Sequence, residues 1–269
     1  MSLGEHHDSG KDISSRNQRR KTKSKTSPTQ VAYGIHACQA AIKANFVRSV
    51  LYLEDSSNKR VTKLTEEASL LGIPVEKGTL KQLNALSGEG VHQGILVRLS
   101  KLPNYDLRTL IANPPPLSLA FVLDSVTDPQ NVGALLRVAV ATKASAVVLS
   151  QRKGPLLTPG VHRASAGLSF CAPVTAPGNL VGAVKDLKAA GFWIVAADSS
   201  EGAQDATKFD WPEKTALVLG SEEGGIRPLL LRESDFHVRL PMEQQVESLN
   251  VAVASGALAY LWKQRWATN

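Results

Sequence analysis

Cysteine is nearly missing from this 269-residue chain. Cys38 and Cys171 are the only two, far apart and without metal-ligand spacing around them. No disulfide framework follows, and no metal is expected. A reducing compartment is the simplest setting, and the cytoplasm is the expected location. Long apolar runs are lacking too. The uncharged stretch from Ser248 to Trp262 is too short for a bilayer, and no apolar signal segment follows Met1, so no membrane association is expected. No Gly-x-Gly-x-x-Gly follows any expected strand, and no Gly-Lys-Ser/Thr closes a glycine-rich turn. The dinucleotide fingerprint and the P-loop are thereby excluded.

Negative charge is also scarce. Lys and Arg total 31 against 24 Asp and Glu, for a formal net charge of +7 and a pI near 9.4. A basic chain suits a polyanionic partner such as RNA. The charge is uneven: residues 1–30 hold seven Lys/Arg and three Asp/Glu, hence +4 of the +7. Arg16, Arg19, Arg20, Lys21, Lys23 and Lys25 alternate there with Ser, Thr and Asn, with few large apolar residues. Such a segment cannot bury enough surface to fold alone, so residues 1–30 read as a disordered basic tail. It is either a solvated end or an RNA-contacting arm.

Residues 31–100 read as a small α/β unit. Helices are expected at Gly34 to Ala44, Arg60 to Leu71 and Leu80 to Leu86. Strands are expected at Ser49 to Leu53, from Pro74, and at Gly94 to Leu99. His92 is a lone histidine and reads as structural. Residues 101–116, with Pro103 and the run Pro114-Pro115-Pro116, read as a semi-rigid, extended linker. From 117 to 269 strands and helices alternate. Strands are expected at Ala146 to Leu149, Trp193 to Ala197, Ala216 to Leu219 and Phe236 to Leu240, and a helix around Ala164 to Gly167. This alternation predicts a largely parallel sheet with helices on both faces.

Three segments of this second region carry polar residues where packing does not ask for them. In the first, Leu119 to Asp124 is an apolar strand ending in a carboxylate, followed by Asp128-Pro129 and the apolar helical run Val132 to Val140. Asn131 stands at the start of that helix as a credible N-cap. Arg137 lies inside the run, either snorkelling to the surface or pairing with a core carboxylate. In the second, the strand from Thr215 runs into Gly220-Ser221-Glu222-Glu223-Gly224-Gly225. Glycines there permit positive φ and close approach of a ligand, or simply make a turn. In the third, Leu240-Pro241-Met242 precedes Ser248-Leu249-Asn250 at the mouth of an apolar helix. Ser248 and Asn250 are caps or site residues.

In order and spacing, these segments resemble the three motifs of the SpoU (TrmH-like) branch of the SPOUT RNA methyltransferases. Asn131 and Arg137 match the first motif, Gly220 and Glu222 the second, and Ser248 and Asn250 the third. The resemblance covers residues 118 to 265, with one local departure: Glu222-Glu223-Gly224-Gly225 stands where many relatives read Glu-Gly-x-Gly. It implies S-adenosylmethionine-dependent methyl transfer to a ribose 2′-hydroxyl, most simply of a guanosine in 23S rRNA. A tRNA ribose 2′-O-methyltransferase is the alternative in the same class, and a non-catalytic RNA-binding or ribosome-assembly protein the alternative outside it. The implied α/β fold is a C-terminal SPOUT domain with a trefoil knot, preceded by an L30e-like RNA-binding domain in which His92-Gln93-Gly94 matches a common tripeptide. The cofactor slot falls to the backbone around Gly220, Leu240 and Leu249, although Leu240 and Leu249 also suit plain core. Arg137 becomes the key catalytic residue, with Asn131, Ser248 and Asn250 orienting it and Glu222 pairing with it. Arginine is a poor base in water, so its role is either base in a dry site or cation on the phosphate and developing alkoxide. A homodimer is also implied, with the apolar helix ending in Trp262 and Trp266 at the contact.

Overall fold

The computed structural model describes residues 30–54, 57–151, 157–246 and 248–267. All but the last residue of the basic tail lies outside the described residues. The elements form two sheets.

The first unit runs β1 (Val31–Tyr33), α1 (Ile35–Lys43), β2 (Val47–Leu53), α2 (Lys59–Leu70), β3 (Val75–Gly78), α3 (Leu80–Ser87) and β4 (Ile95–Leu99). Its four strands lie in the order β1-β4-β2-β3, with β4 antiparallel to both neighbours and β2 parallel to β3. Local chemistry sets the helix ends. Asn58 accepts from Arg60 N at 3.0 Å to cap α2, and Thr79 with Gln82 makes a capping box on α3. Gly88 closes α3 at φ 63°. Strand β1 is not among the expected strands, since three residues carry no period; its pairing with β4 defines it. His92 is structural: its Nδ1 accepts from Gly94 N at 3.0 Å while Nε2 lies 2.9 Å from Asn84 Oδ1. Burial lowers its pKa, against a smaller opposing pull from Glu89.

The stretch read as an extended linker is not extended throughout. Asp106 caps a single helical turn, α4 (Leu107–Leu110), by accepting from Thr109 N at 3.1 Å. Leu107 and Ile111 are buried against the second sheet, so apolar burial overrides the proline-rich composition.

The second unit comprises β5 (Ser118–Asp124), α5 (Pro129–Ala141), β6 (Ala146–Leu149), α6 (Pro159–Ala164), β7 (Val174–Thr175), α7 (Leu180–Ala189), β8 (Trp193–Ala197), β9 (Gln204–Asp205), β10 (Lys214–Gly220), α8 (Pro228–Glu233), β11 (Phe236–Arg239) and α9 (Val251–Ala267). The helix expected around Ala164 to Gly167 lies earlier, because Thr158 caps it at Val161 N and Gly167 turns at φ 83°. Seven strands lie in the order β7-β6-β5-β10-β8-β11-β9, and every pairing is parallel. Helices cover both faces, which explains why all seven residues of β5 are buried. Leu119, Phe121 and Leu123 pack toward α5 and α9, while Ala120 and Val122 pack toward α7 and α8.

The two units pack together where Gly167 meets α1. A Cβ on Gly167 would sit 2.5 Å from Ala40 Cβ and 2.8 Å from His36 O, so only glycine fits. His162 is fully buried beside this contact, stacked on Phe170 at 4.4 Å between ring centroids, with Nδ1 2.8 Å from Ser169 Oγ. Burial pushes its pKa down to about 4.

Candidate active site

Strands β5 and β10 are adjacent, and Gly220 stands opposite Asp124 in the ladder. The first two motif segments therefore emerge side by side at the carboxyl edge of the sheet, where open α/β sheets bind ligands. The turn after β10 is tight. A Cβ on Gly220 would lie 2.1 Å from the carbonyl carbon of Gly225, and Gly225 itself adopts φ +59°. Ser221 closes the turn, its Oγ accepting from Gly224 N at 3.1 Å and its carbonyl from Gly225 N at 2.9 Å. Gly224 and Gly225, the departure from the usual spacing, are thus the residues that Ser221 holds.

Beneath the turn lies an ion pair whose carboxylate is buried and whose guanidinium is partly exposed. Asp124 is fully buried and accepts from Arg227 Nε at 2.7 and 3.0 Å and from Arg227 N at 2.8 Å. This bond network ties the end of β5 to the exit of the second motif.

Above it, three side chains meet. Asn131 Nδ2 donates to Glu222 Oε1 at 2.9 Å. Asn250 Nδ2 donates to the same Oε1 at 2.7 Å and lies 2.8 Å from Asn131 Oδ1. Each residue comes from a different motif, separated by up to 119 positions. The sequence places Asn131 as the cap of α5, but Asp128 fills that role, accepting from Asn131 N at 3.0 Å. Pro129 fits the helix start. The Asn131 side chain is thereby free to reach Glu222. At α9 the cap is Asn250, whose Oδ1 accepts from Ala252 N at 3.0 Å and Val253 N at 3.3 Å. Ser248 is left out of the capping and exposed.

A cavity of about 320 Å³ opens next to this cluster, within the usual range for a small-molecule site. Gly220, Glu222, Leu240, Ser248 and Leu249 line it. Leu240 also packs against the core, so its side chain serves both. Arg137 is not among these residues. It is exposed on α5 and makes no hydrogen bond or ion pair among the described residues. Six residues along a helix move it about 9 Å and roughly 120° round from Asn131. Glu222, expected to pair with Arg137, bonds the two amides instead, and among the described residues Arg137 shows neither a core-carboxylate pairing nor a hydrogen bond to the cluster. The apolar helix shows a further difference. Leu258 and Trp262 are buried in their own unit, and the exposed apolar residues of α9 are Val253 (58%) and Tyr260 (52%).

Sequence reasoning gives no role to four polar residues that the structure brings to this region: Asp124, Arg227, Asp198 and His237. Asp198 lines the cavity at the end of β8. Its Oδ2 lies 3.1 Å from His237 Nδ1. Burial raises its pKa, but hydrogen bonds from Ser200 and His237 outweigh that and hold the carboxyl below its ordinary value. An acidic residue ending each strand is the available signal; their partners are 103 and 39 positions away and leave no local trace. Among the described residues no group of His, Cys, Asp and Glu could hold a metal ion, and no helix is long and apolar enough to cross a membrane.

Comparison with known proteins agrees with this geometry. Residues 118–260 match the model of the SpoU rRNA methylase family, and residues 31–105 match that of RNA 2′-O ribose methyltransferase substrate binding. The chain is 34% identical over 233 residues to the 23S rRNA (guanosine-2′-O-)-methyltransferase RlmB of Pseudomonas putida, covering 85% of this chain and 93% of that protein. It is 35% identical to the RlmB of Coxiella burnetii, covering 85% and 92%. Among solved structures, the SpoU methyltransferase AviRb from Streptomyces viridochromogenes superposes with a TM-score of 0.75 at 23% identity, covering 90% of this chain and 91% of that one. The AdoMet-bound rRNA methyltransferase from Sinorhizobium meliloti gives 0.75 at 22% identity, covering 88% and 87%. A parallel sheet with a ligand-sized cavity at its carboxyl edge, three ordered motifs converging there, and relatives above 30% identity along most of the sequence lead to one assignment: the chain belongs to the SpoU rRNA methylase family.

Proposed function

We propose that this protein transfers a methyl group from S-adenosylmethionine to the ribose 2′-hydroxyl of a guanosine in 23S rRNA. The observation that carries the reading is the Asn131–Glu222–Asn250 cluster at the rim of the cavity. An exposed hydrogen-bonded cluster adds little to stability. Its cost in ordering three side chains is understandable if it holds a reacting geometry. The cavity suits the cofactor on chemical grounds: glycine backbone at Gly220 and apolar Leu240 and Leu249 for an adenosine, and polar Ser248 and Glu222 at one end. When bound, that cofactor supplies an electrophilic methyl group on a sulfonium.

The protein's own share is alignment and charge. In-line displacement needs the hydroxyl oxygen, carbon and sulfur on one axis, and rigid positioning of this kind supplies much of a rate enhancement. Asn131 and Asn250, locked by Glu222, orient donors and acceptors at the rim. Ser248 faces the cavity beside them. Arg137, exposed and without an ion pair among the described residues, is available to an RNA phosphate and to the alkoxide forming beside it. A guanidinium with five donors suits that role better than proton abstraction, since it stays charged at working pH.

Residues 31–100 are assigned to substrate RNA binding as an L30e-like domain, residues 117–269 to the methyltransferase domain, and residues 1–30 to a basic tail. The trefoil knot belongs to the same reading, as does a homodimer built through α9. Exposed Leu249, Val253 and Tyr260 support that contact. The cytoplasm, where ribosomal RNA is modified, is the corresponding location. Mapping 2′-O-methyl groups in total RNA with and without the protein tests the function. The expected result is loss of one methylguanosine in 23S rRNA. Loss from tRNA, or no change at all, would overturn the assignment.

A further inference from the structure

The cavity holds two carboxylates, and they are not equivalent. Glu222 Oε1 already accepts from the amides of Asn131 and Asn250. Asp198 lines the cavity from the end of β8, a strand that carries none of the three motifs. Parallel pairing places Ala196 beside His237 and Ala197 beside Val238, and Asp198 N donates to Val238 O at 3.0 Å. The register thus sets His237 against Asp198. His237 Nδ1 lies 3.1 Å from Asp198 Oδ2, and its Nε2 lies 3.2 Å from Leu231 O on α8. The imidazole is clamped between a strand end and a helix, and it does not itself line the cavity. Its side chain is only 31% exposed and that of Asp198 only 23%. Arg239, the cation lining the cavity, makes no ion pair among the described residues, so it does not consume the Asp198 carboxylate.

A carboxylate offers about four acceptor sites. The bonds from His237 and Ser200 leave capacity on the cavity side. We propose that Asp198 is a ligand-binding carboxylate of this cavity, positioned by His237, and that it accepts hydrogen bonds from a vicinal hydroxyl pair or an ammonium of the bound cofactor. This rests on the cofactor reading above. S-Adenosylmethionine carries both kinds of donor, on its ribose and on its amino-acid end. A charged acceptor fixed by a second residue recognises such a donor without rearrangement, which is where affinity is gained. His237 is a positioning residue, since it touches Asp198 and not the cavity.

Titration calorimetry on the full chain tests the inference, with S-adenosylhomocysteine and methylthioadenosine as probes. Binding of either probe by the unaltered protein checks the cofactor reading; no binding there sinks that reading and the present inference with it. Given binding, Asp198→Asn is expected to lose about tenfold or more in affinity for S-adenosylhomocysteine. An equal loss for methylthioadenosine, which keeps the ribose hydroxyls but lacks the ammonium, assigns Asp198 to the hydroxyl pair. A loss confined to S-adenosylhomocysteine assigns it to the ammonium. His237→Phe is expected to weaken binding in the same pattern, and His237→Asn to restore most of it by returning a donor near the Nδ1 position. Thermal melting of each variant separates unfolding from loss of the ligand. Folded Asp198→Asn and Asp198→Ala that bind both probes as tightly as the unaltered chain would overturn the proposal. Rescue of His237→Phe failing in His237→Asn would remove His237 from it.

Discussion

Two polar clusters stand one above the other at the carboxyl edge of the second sheet, and both join β5 and its sequel to the turn after β10. The lower one, Asp124 with Arg227, has its carboxylate fully buried. The upper one, Asn131 with Glu222 and Asn250, faces solvent. Their bond lengths are similar, but their energetics differ. A buried charge without its partner carries a large desolvation cost, so the lower cluster locks the turn in place. The exposed cluster contributes little to folding, so it is cheap to lose for stability. The lower cluster is the foundation on which the upper one keeps its geometry.

The largest expected effect tests the foundation. Arg227→Met leaves the Asp124 carboxylate buried and short of its main partner. Unfolding in urea should show a loss of about 3 kcal/mol, the low end for a broken buried pair because Ser125 and the residue 227 amide still donate to it. A loss below about 0.5 kcal/mol, the size expected for an ordinary surface change, would erase the distinction between the clusters.

Next comes Arg137→Ala. Methyl transfer to RNA should fall by about 10²–10³-fold, the cost of one transition-state donor, with cofactor affinity unchanged in calorimetry. Arg137→Lys should recover little, since lysine lacks the planar fork. Full activity in Arg137→Ala would leave that arginine as a solvated helix residue.

Asn250→Ala separates the two functions of one residue. It removes the α9 cap, worth about 1 kcal/mol, and two bonds of the exposed cluster. Turnover should fall by far more than the roughly fivefold that 1 kcal/mol represents, and cofactor affinity should fall with it. A turnover loss that only tracked the melting temperature would show the exposed cluster to be structural after all.

The smallest effect lies away from both clusters, at the contact between the two units. His162 has its pKa depressed to about 4 from 6.5. The unfolded chain therefore binds this proton more tightly, and stability is fully present above pH 6.5 and falls as the pH drops toward 4. The slope in that window is at most about 1.4 kcal/mol per pH unit from this residue. His162→Phe should flatten the slope while keeping the stack on Phe170. An unchanged slope in denaturant titrations between pH 4 and 6.5 would mean that other groups dominate acid sensitivity.

Much of the fold is legible in the amino-acid sequence. The apolar runs at Trp193–Ala197 and Ala146–Leu149 give strands with the expected bounds, because a two-sided buried strand is a continuous hydrophobic block. Two helices of the first unit, α2 and α3, lie within a residue or two of the expected bounds, with Asn58, Thr79 and Gly88 at their ends. Short elements such as β1, β7 and β9 are not legible, since two or three residues carry no period and exist only through their neighbours. The linker turn at Leu107–Leu110 is hidden for a related reason: its burial against the sheet, not its composition, makes it helical.

For the site, residue types and order are in the sequence: Asn131, Glu222 and Asn250 stand out as polar residues beside apolar elements. Which of them touch does not. Asp128 and not Asn131 caps α5, and Glu222 meets two amides and not Arg137. Composition, periodicity and motif spacing are local properties, and they determined the α/β alternation, the basic character and the family of this protein. The pairing of β5 with β10, the bond from buried Asp124 to Arg227 across 103 positions, and the seating of His237 behind Asp198 were decided by the tertiary structure alone. A side chain's partner across the sheet depends on which strands become neighbours, and no short stretch of sequence carries that information.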